Sequence, residues 1–247
     1  QGLFDGPKPV RLLSRLLTLA NTEEDSIILD FFSGSASTAH TVMNFNADKG
    51  GKRKFIMVQV PEKCPSNSKA AKAGYANICE IGKERIRRAG EKVKAEAGML
   101  GQDLDVGFRV LKLDSTNMQD VYYSAGEYSQ DMLSALEDNI KEDRNDMDLL
   151  YACLLDWGLP LSMSHTQEQM GGFTVHTYND GDLIACFDKD ISDDVVKEIA
   201  RRCGSPDREG LATRAVFRDL SFANSPAKIN VEEIFKLLAP NTSVRVI

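Results

Sequence analysis

The stretch Ile28–Val42, "ILDFFSGSASTAHTV", decides how this chain folds. It opens as an apolar run and closes on Asp30 and the aromatic pair Phe31 and Phe32. Seven small residues, Ser33 to Ala39, then lead into helical spacing. Strand, small residues and helix is how an α/β protein brings a ligand against the carboxyl end of its sheet. Small side chains let the backbone approach the ligand, and free N–H groups at the helix start favour a negative group there. The stretch does not fit the dinucleotide pattern G-x-G-x-x-G, because Ala36 stands where the second glycine belongs. The phosphate loop G-x-x-x-x-G-K-[ST] is absent.

Working outward, "PKPVRLLSRLLTLA" has apolar residues at helical spacing, with Pro9 tolerable in the first turn, where its missing N–H would be unpaired anyway. "SIILDFF" and "KFIMVQV" read as strands buried on both faces, because both are continuously apolar. "STAHTVMNFNA" reads as the helix between them. A long helix, "YANICEIGKERIRRAGEKVKAEAG", follows an irregular segment and ends at Gly98. Strand, helix, strand, helix predicts a parallel α/β sheet. Two strands are marginal by themselves, so "FRVLKLD", a further predicted strand, or a neighbouring molecule is expected to pair with them.

The second half carries a different pattern. A polar, acidic stretch, Ser115 to Asp148, has a weak helix signal except around "QDMLSALEDNI" and reads as a connector. "MDLLYACLLDWGL" predicts an amphipathic helix stopped by Gly158 and Pro160. "GFTVHTYNDGDLIACFD" predicts two strands joined at Asn179-Asp180-Gly181, residues that accept positive φ. A helix over Asp193 to Arg202, a strand "TRAVFRD", a helix over Asn230 to Leu238 and a strand "SVRVI" complete a second α/β unit. The predicted division is 1–100, then a strand and acidic connector over 101–145, then 146–247.

Composition narrows the classes. The five cysteines are scattered and form no C-x-x-C pair, which predicts reduced thiols and a cytoplasmic protein. His40, His165 and His176 do not sit with a cysteine at ligand spacing, so no metal site is expected. No apolar run approaches the length of a membrane span, and the cationic start and apolar core of a secretory leader are missing. The net charge of −7 is uneven: residues 1–100 carry 16 Lys/Arg against 11 Asp/Glu, and residues 101–247 carry 14 against 26. The basic front half tolerates a polyanion, whereas the acidic back half opposes one.

The order of four segments is specific. "FDGPKPVRLL", then "LDFFSGSASTAHTVM", "GGKRKFIMVQVPE" and "YANICEIGKERIRRAG" together resemble the amino-methyltransferases of the permuted class called beta. The nearest likeness is to the modification subunits of type III restriction–modification systems. It extends over the whole chain, with "LLYACLLDWGLPL" and "AKINVEEIFK" similar to their C-terminal region. The resemblance implies a partial Rossmann-like, S-adenosylmethionine-dependent methyltransferase domain followed by a smaller α/β domain. It implies that Asp30, Phe31, Phe32, Ser33, Gly34, Ser35, Ser37 and Thr38 line the cofactor pocket, with backbone amides around Gly34 meeting the methionine carboxylate. Phe4, Lys8 and Pro9 would close the other side, with Lys8 a charge partner for that carboxylate. The ribose hydroxyls would be met at the end of the second strand, by Gln59, which replaces the usual acid there, or by Glu62 three residues on. Bland roles stand beside these: Asp30 capping the turn, Phe31 and Phe32 in the core, His40 packing, and "GKERIRRAGEKVK" as a solvated helix face or a phosphate contact.

One absence is informative. Enzymes of this class hold a flipped-out adenine with a [DNS]-P-P-[YFW] motif, and the sequence contains no Pro-Pro pair. No catalytic residue is therefore assigned, and the chain is expected to be the C-terminal portion of a longer methyltransferase that acts on adenine N6 and is inactive by itself. The partners implied are DNA, through the full-length protein, and a restriction subunit, a second modification subunit or both. The alternative is a non-catalytic assembly module of a restriction–modification complex.

Overall fold

The structure is a computed structural model that describes residues 6–119, 139–208, 210–222 and 225–247. Phe4, and all but the last two residues of "QDMLSALEDNI" in the predicted connector, lie outside the described residues. The chain divides into two compact units, Gln1–Arg109 and Val110–Ile247.

In the first unit, helix α1 (Val10–Leu19) starts after Pro9, whose carbonyl accepts from the Leu12 and Leu13 amides at 3.0 and 3.2 Å. Pro9 thus stands at the position before the first turn, where its missing N–H costs nothing. Strand β1 (Ile27–Phe31) pairs in parallel with β2 (Lys54–Val58), Ile27 opposite Lys54 and Phe31 opposite Val58. Helix α2 (Ser37–Lys49) makes the crossover between them. A single turn, α3 (Lys69–Lys72), precedes the long α4 (Ile78–Ala97), which begins on Asn77, whose side chain accepts from the Glu80 amide at 3.1 Å. Ala36, Ala39 and Met43 meet Ile86, Ala89 and Val93, with Phe55 and Met57 of β2 packed against them. Leu17 joins Val42 and Phe45 with Ile28.

The helices cover one face of this sheet only. Ile27, Leu29, Phe31, Ile56 and Val58 point the other way and stay between 47% and 68% exposed. Both strands were predicted to be buried on both faces because their runs are apolar on both; the structure corrects this to one covered face and one bare face. The strand predicted for "FRVLKLD" is also absent: residues 102–114 have no strand. Leu104, Val106 and Phe108 pack on the α2–α4 core, while Val110, Leu111 and Leu113 are exposed. Strand propensity by itself did not pair this segment with the β1–β2 sheet; its apolar side chains Leu104, Val106 and Phe108 are used in packing on the helices instead.

The second unit holds a five-stranded mixed sheet in the order β3-β4-β5-β6-β7. Its elements are α5 (Asp146–Asp156), β3 (His165–Met170), β4 (Phe173–Tyr178), β5 (Leu183–Cys186), α6 (Asp193–Cys203), β6 (Thr213–Phe217), α7 (Ser225–Leu238) and β7 (Thr242–Val246). Strands β3 to β5 run antiparallel and β5 to β7 parallel. The turn predicted at Asn179-Asp180-Gly181 is present, with φ of 47°, 53° and 110°. Helices α6 and α7 cover one face of the sheet and α5 the other. Helix α7 starts five residues before the predicted Asn230. Strand β3 was not predicted, although the Gly171-Gly172 turn that joins it to β4 was a usable hairpin signal. His176, almost fully buried, bridges β3 and α5, its ring 3.1 Å from His165 Nε2 and 3.2 Å from Asp146 Oδ2.

Among the described residues, no helix is long and apolar enough to cross a membrane, and no group of three His, Cys, Asp or Glu side chains could hold a metal ion.

Candidate cofactor site

The small residues after β1 form a tight turn held from three sides. The Ser33 amide donates to the Val58 carbonyl at 3.1 Å, extending the β1–β2 pairing by one bond. The Gly34 amide donates to Gln59 Oε1 at 2.7 Å, and Gln59 Nε2 donates to the Val60 carbonyl at 3.1 Å. The Ala36 amide closes the turn on the Ser33 carbonyl at 3.0 Å. Gly34 has φ 54° and Ala36 φ 57°, so the chain passes through the left-handed region twice before α2 begins. For a residue with a Cβ that conformation costs about 1–2 kcal/mol, so Ala36 is strained where a glycine would not be.

Asp30 and Thr38 are joined across the turn, Thr38 Oγ1 donating to Asp30 Oδ2 at 2.5 Å. Ser35, Ser37 and Thr38 are buried. Helix α2 has no side-chain cap, so its first N–H groups have no partner from a capping side chain. The positive end of a helix, uncapped and at the carboxyl end of a parallel strand, suits an anionic group.

Helix α4 closes the turn from behind. A Cβ at Gly82 would stand 3.6 Å from the Ala36 Cβ and 3.6 Å from the Gly34 carbonyl oxygen, so the turn and helix are in near contact there. Cys79 Sγ lies 3.6 Å from the Gln59 carbonyl, and Arg85 Nη1 donates to Ser35 Oγ at 2.9 Å. Burial lowers the Arg85 pKa from its ordinary value. His40, on α2, has its pKa lowered by burial first and then by Arg85 and Lys92, while Glu96 acts in the opposite sense. Its buried Nε2 has no hydrogen-bond partner among the described residues.

The predicted residues divide accordingly. The structure brings together Asp30 with Thr38, Gly34 with Gln59, and Ser33 to Ser37 in one turn. It takes the Gly34 amide, expected to face the cofactor carboxylate, into a bond with Gln59. Phe31 and Phe32 are 68% and 69% exposed, and the peptide between them is cis. Lys8 and Pro9 are exposed. Glu62 is exposed as well; its backbone joins β2 to α4, the amide on Val60 and the carbonyl accepting from Ile78. Gly82, Arg85 and Cys79 were not singled out as site residues. Glu80 with Lys83, and Glu84 with Arg87 and Arg88, do form the solvated face read from "GKERIRRAGEKVK", and a one-dimensional pattern hides that Arg85 turns away from it.

A parallel β1–α2–β2 crossover with a left-handed, small-residue turn at the strand end is the place where open α/β sheets receive a ligand. Residues 1–90 match the N6/N4 methyltransferase family model, described as DNA methylase. The chain is homologous to type III modification subunits. It is 40% identical over 117 residues to the StyLTI Mod subunit of Salmonella typhimurium, an alignment that covers 47% of this chain and 18% of that protein. It is 38% identical over 109 residues to the EcoPI Mod subunit of Escherichia phage P1, covering 44% and 16%. It is 29% identical over 245 residues to the EcoP15I Mod subunit of Escherichia coli, covering 98% and 35%. The chain thus spans 35% or less of the length of each of these relatives.

Proposed function

We propose that this chain is the cofactor-holding portion of a DNA methyltransferase that moves a methyl group from S-adenosylmethionine to adenine N6. The observation that carries the reading is the β1–α2 turn, with its two left-handed residues, its uncapped helix and Asp30 locked to Thr38. The donor set fits the cofactor: helix amides for the carboxylate, and Gln59 or Glu62 as acceptors for the ribose hydroxyls. Asp30, Phe31, Phe32, Ser33, Gly34, Ser35, Ser37 and Thr38 are assigned to the pocket, with Lys8 and Pro9 at its rim; Phe4 belongs to the same assignment. When bound, S-adenosylmethionine supplies an activated methyl group on its sulfonium.

These residues bind and orient; none of them is assigned to activate the adenine amine. That amine is a poor nucleophile, because its lone pair is delocalised into the ring, and holding it in position for attack is worth orders of magnitude in rate. The [DNS]-P-P-[YFW] element that would hold it is not in these 247 residues and is assigned to another segment of the enzyme. The bare face of the β1–β2 sheet supports that division, because it leaves an apolar surface for further polypeptide to cover. The whole protein is proposed to act on DNA in the cytoplasm, with a restriction subunit, a second modification subunit or both as partners.

The test is methyl transfer. Radiolabelled S-adenosylmethionine and duplex DNA, incubated with this chain, are expected to leave the DNA unlabelled. Adding a methyltransferase segment that carries the Pro-Pro motif, in cis or in trans, is expected to label adenine. Labelling by the chain alone would overturn the division of roles, and no labelling with the added segment would overturn the enzyme reading in favour of an assembly module.

A further inference from the structure

Arg85 differs from its neighbours on α4. Lys83 pairs with Glu80 at 2.6 Å, Arg88 with Glu84 at 2.7 Å and Arg87 with Glu84 at 3.6 Å. Arg85 is half-buried, and no carboxylate lies within ion-pair distance of it among the described residues. Its one hydrogen bond there goes to the hydroxyl of Ser35, itself 4% exposed. A cation drawn out of water beside the positive end of α2 is unfavourable, so a structural purpose must offset it.

The place it reaches supplies that purpose. Ser35 stands between Gly34 and Ala36, the two left-handed residues of the turn. Such conformations persist only where their surroundings over-determine them. Two of the bonds that do so, from the Ser33 and Gly34 amides, tie the turn to the Val58 carbonyl and the Gln59 side chain at the end of β2. The Arg85–Ser35 bond ties it to α4, on the side where Gly82 allows near contact.

We propose that Arg85 is a positioning residue: through Ser35 it holds the left-handed turn in the shape that presents the α2 amides to S-adenosylmethionine. The role in cofactor binding rests on the reading of the turn given above; the role in holding the turn does not. Without Arg85 the Ser35 hydroxyl loses its donor, the turn samples other conformations, and the α2 amides spend less time aimed at the ligand.

The test uses Arg85→Ala, Ser35→Ala, the double variant and Arg85→Lys in the full chain, with two readouts. The first is amide hydrogen exchange at Ser33, Gly34 and Ala36, the hydrogen-bonded amides of the turn, which needs no cofactor. Both single variants are expected to exchange faster there by about tenfold, the scale of one charged hydrogen bond. The double variant is expected to go no further, because both residues act through the same bond. Arg85→Lys, which keeps a cationic donor, is expected to recover part of the protection. The second readout is equilibrium binding of S-adenosylmethionine, weakened by a similar factor in both singles while the unfolding midpoint holds. Unchanged exchange in the turn, or additive effects in the double variant, would overturn the proposal. Should Arg85→Ala fail to fold, Ser35→Ala, which removes only a buried hydroxyl, decides alone. A wild-type chain that binds no S-adenosylmethionine would defeat the cofactor reading, while the exchange result would still settle what Arg85 does.

Discussion

Gln59 and Gly34, 25 positions apart, are joined by a 2.7 Å hydrogen bond from the Gly34 amide to the Gln59 side-chain oxygen. The end of β2 therefore holds the turn that follows β1, and the two strands of the crossover meet at their carboxyl ends. An amide hydrogen bond of this kind contributes about 1 kcal/mol net, and leaving a part-buried donor unpaired costs about as much again. Gln59→Ala is expected to lower the stability of the first unit by roughly 1–2 kcal/mol, and Gln59→Glu, which keeps an acceptor, to lower it less. Urea unfolding reads the difference; equal midpoints for the wild type and Gln59→Ala would contradict it.

Gly82 allows α4 and the turn to approach. A Cβ there would make ordinary contact with the Ala36 Cβ at 3.6 Å, so Gly82→Ala is tolerated. It is expected to stabilise α4 by up to about 1 kcal/mol through helix propensity. Gly82→Leu must displace the turn and is expected to cost 1–3 kcal/mol, roughly, and weaken cofactor binding. Thermal unfolding of the two variants checks this. A melting temperature for Gly82→Leu at or above that of the alanine variant would show that the approach is not tight.

His40 gives the first unit a pH dependence of definite sign. Burial, then Arg85 and Lys92, lower its folded pKa below the unfolded value of 6.5. The contribution of the neutral ring is therefore fully present above about pH 6.5 and is lost as pH falls through the folded pKa. Wild-type stability is expected to drop across that window more than that of His40→Asn. NMR titration of the ring is expected to show its pKa rising in Arg85→Ala, since one of the causes of the depression is then gone. A histidine that titrates above 6.5 in the folded chain would contradict both statements.

The bare sheet face predicts a surface effect without a folding effect. Leu29 and Ile56 are 54% and 49% exposed. Because the two face each other across the strands, replacing Leu29 with glutamate and Ile56 with lysine avoids like-charge repulsion and is expected to change stability by about 0.5 kcal/mol per site or less. The same change should reduce binding of a hydrophobic dye and abolish association with a methyltransferase segment that completes the sheet. Large destabilisation would mean that the face is already covered within this chain.

Much of this fold is legible in one dimension because it is local. The strand and helix periods around Ile28–Val42, the stop at Gly98 and the Asn179-Asp180-Gly181 turn all depend on neighbours in sequence. What escaped depends on distant partners. Continuous apolar runs in β1 and β2 announce burial but cannot say that helices reach only one face. "FRVLKLD" has strand propensity, but Phe108 and its neighbours Leu104 and Val106 pack on the α2–α4 core instead of joining the sheet. The candidate site divides in the same way: Asp30, Gly34 and Thr38 are marked by their motif, whereas Arg85 looks like one more of the eight charges in "GKERIRRAGEKVK" until the helix turns it towards Ser35, 50 residues away. Arg53 escaped likewise. It is 8% exposed and donates to the Gly50 and Thr22 carbonyls at 2.7 and 3.1 Å, a loop-holding role that no local pattern announces.

The central claim is that the β1–α2 turn holds S-adenosylmethionine, and the most direct measurement is its titration into the isotope-labelled chain, followed by amide chemical shifts. The account predicts saturable shifts concentrated at Asp30, Gly34 to Thr38 and Gln59, with a dissociation constant well above the order of 1 μM, because part of the pocket lies in another segment. Shifts that avoid the turn, no shifts at all, or sub-micromolar binding by this chain alone would contradict it.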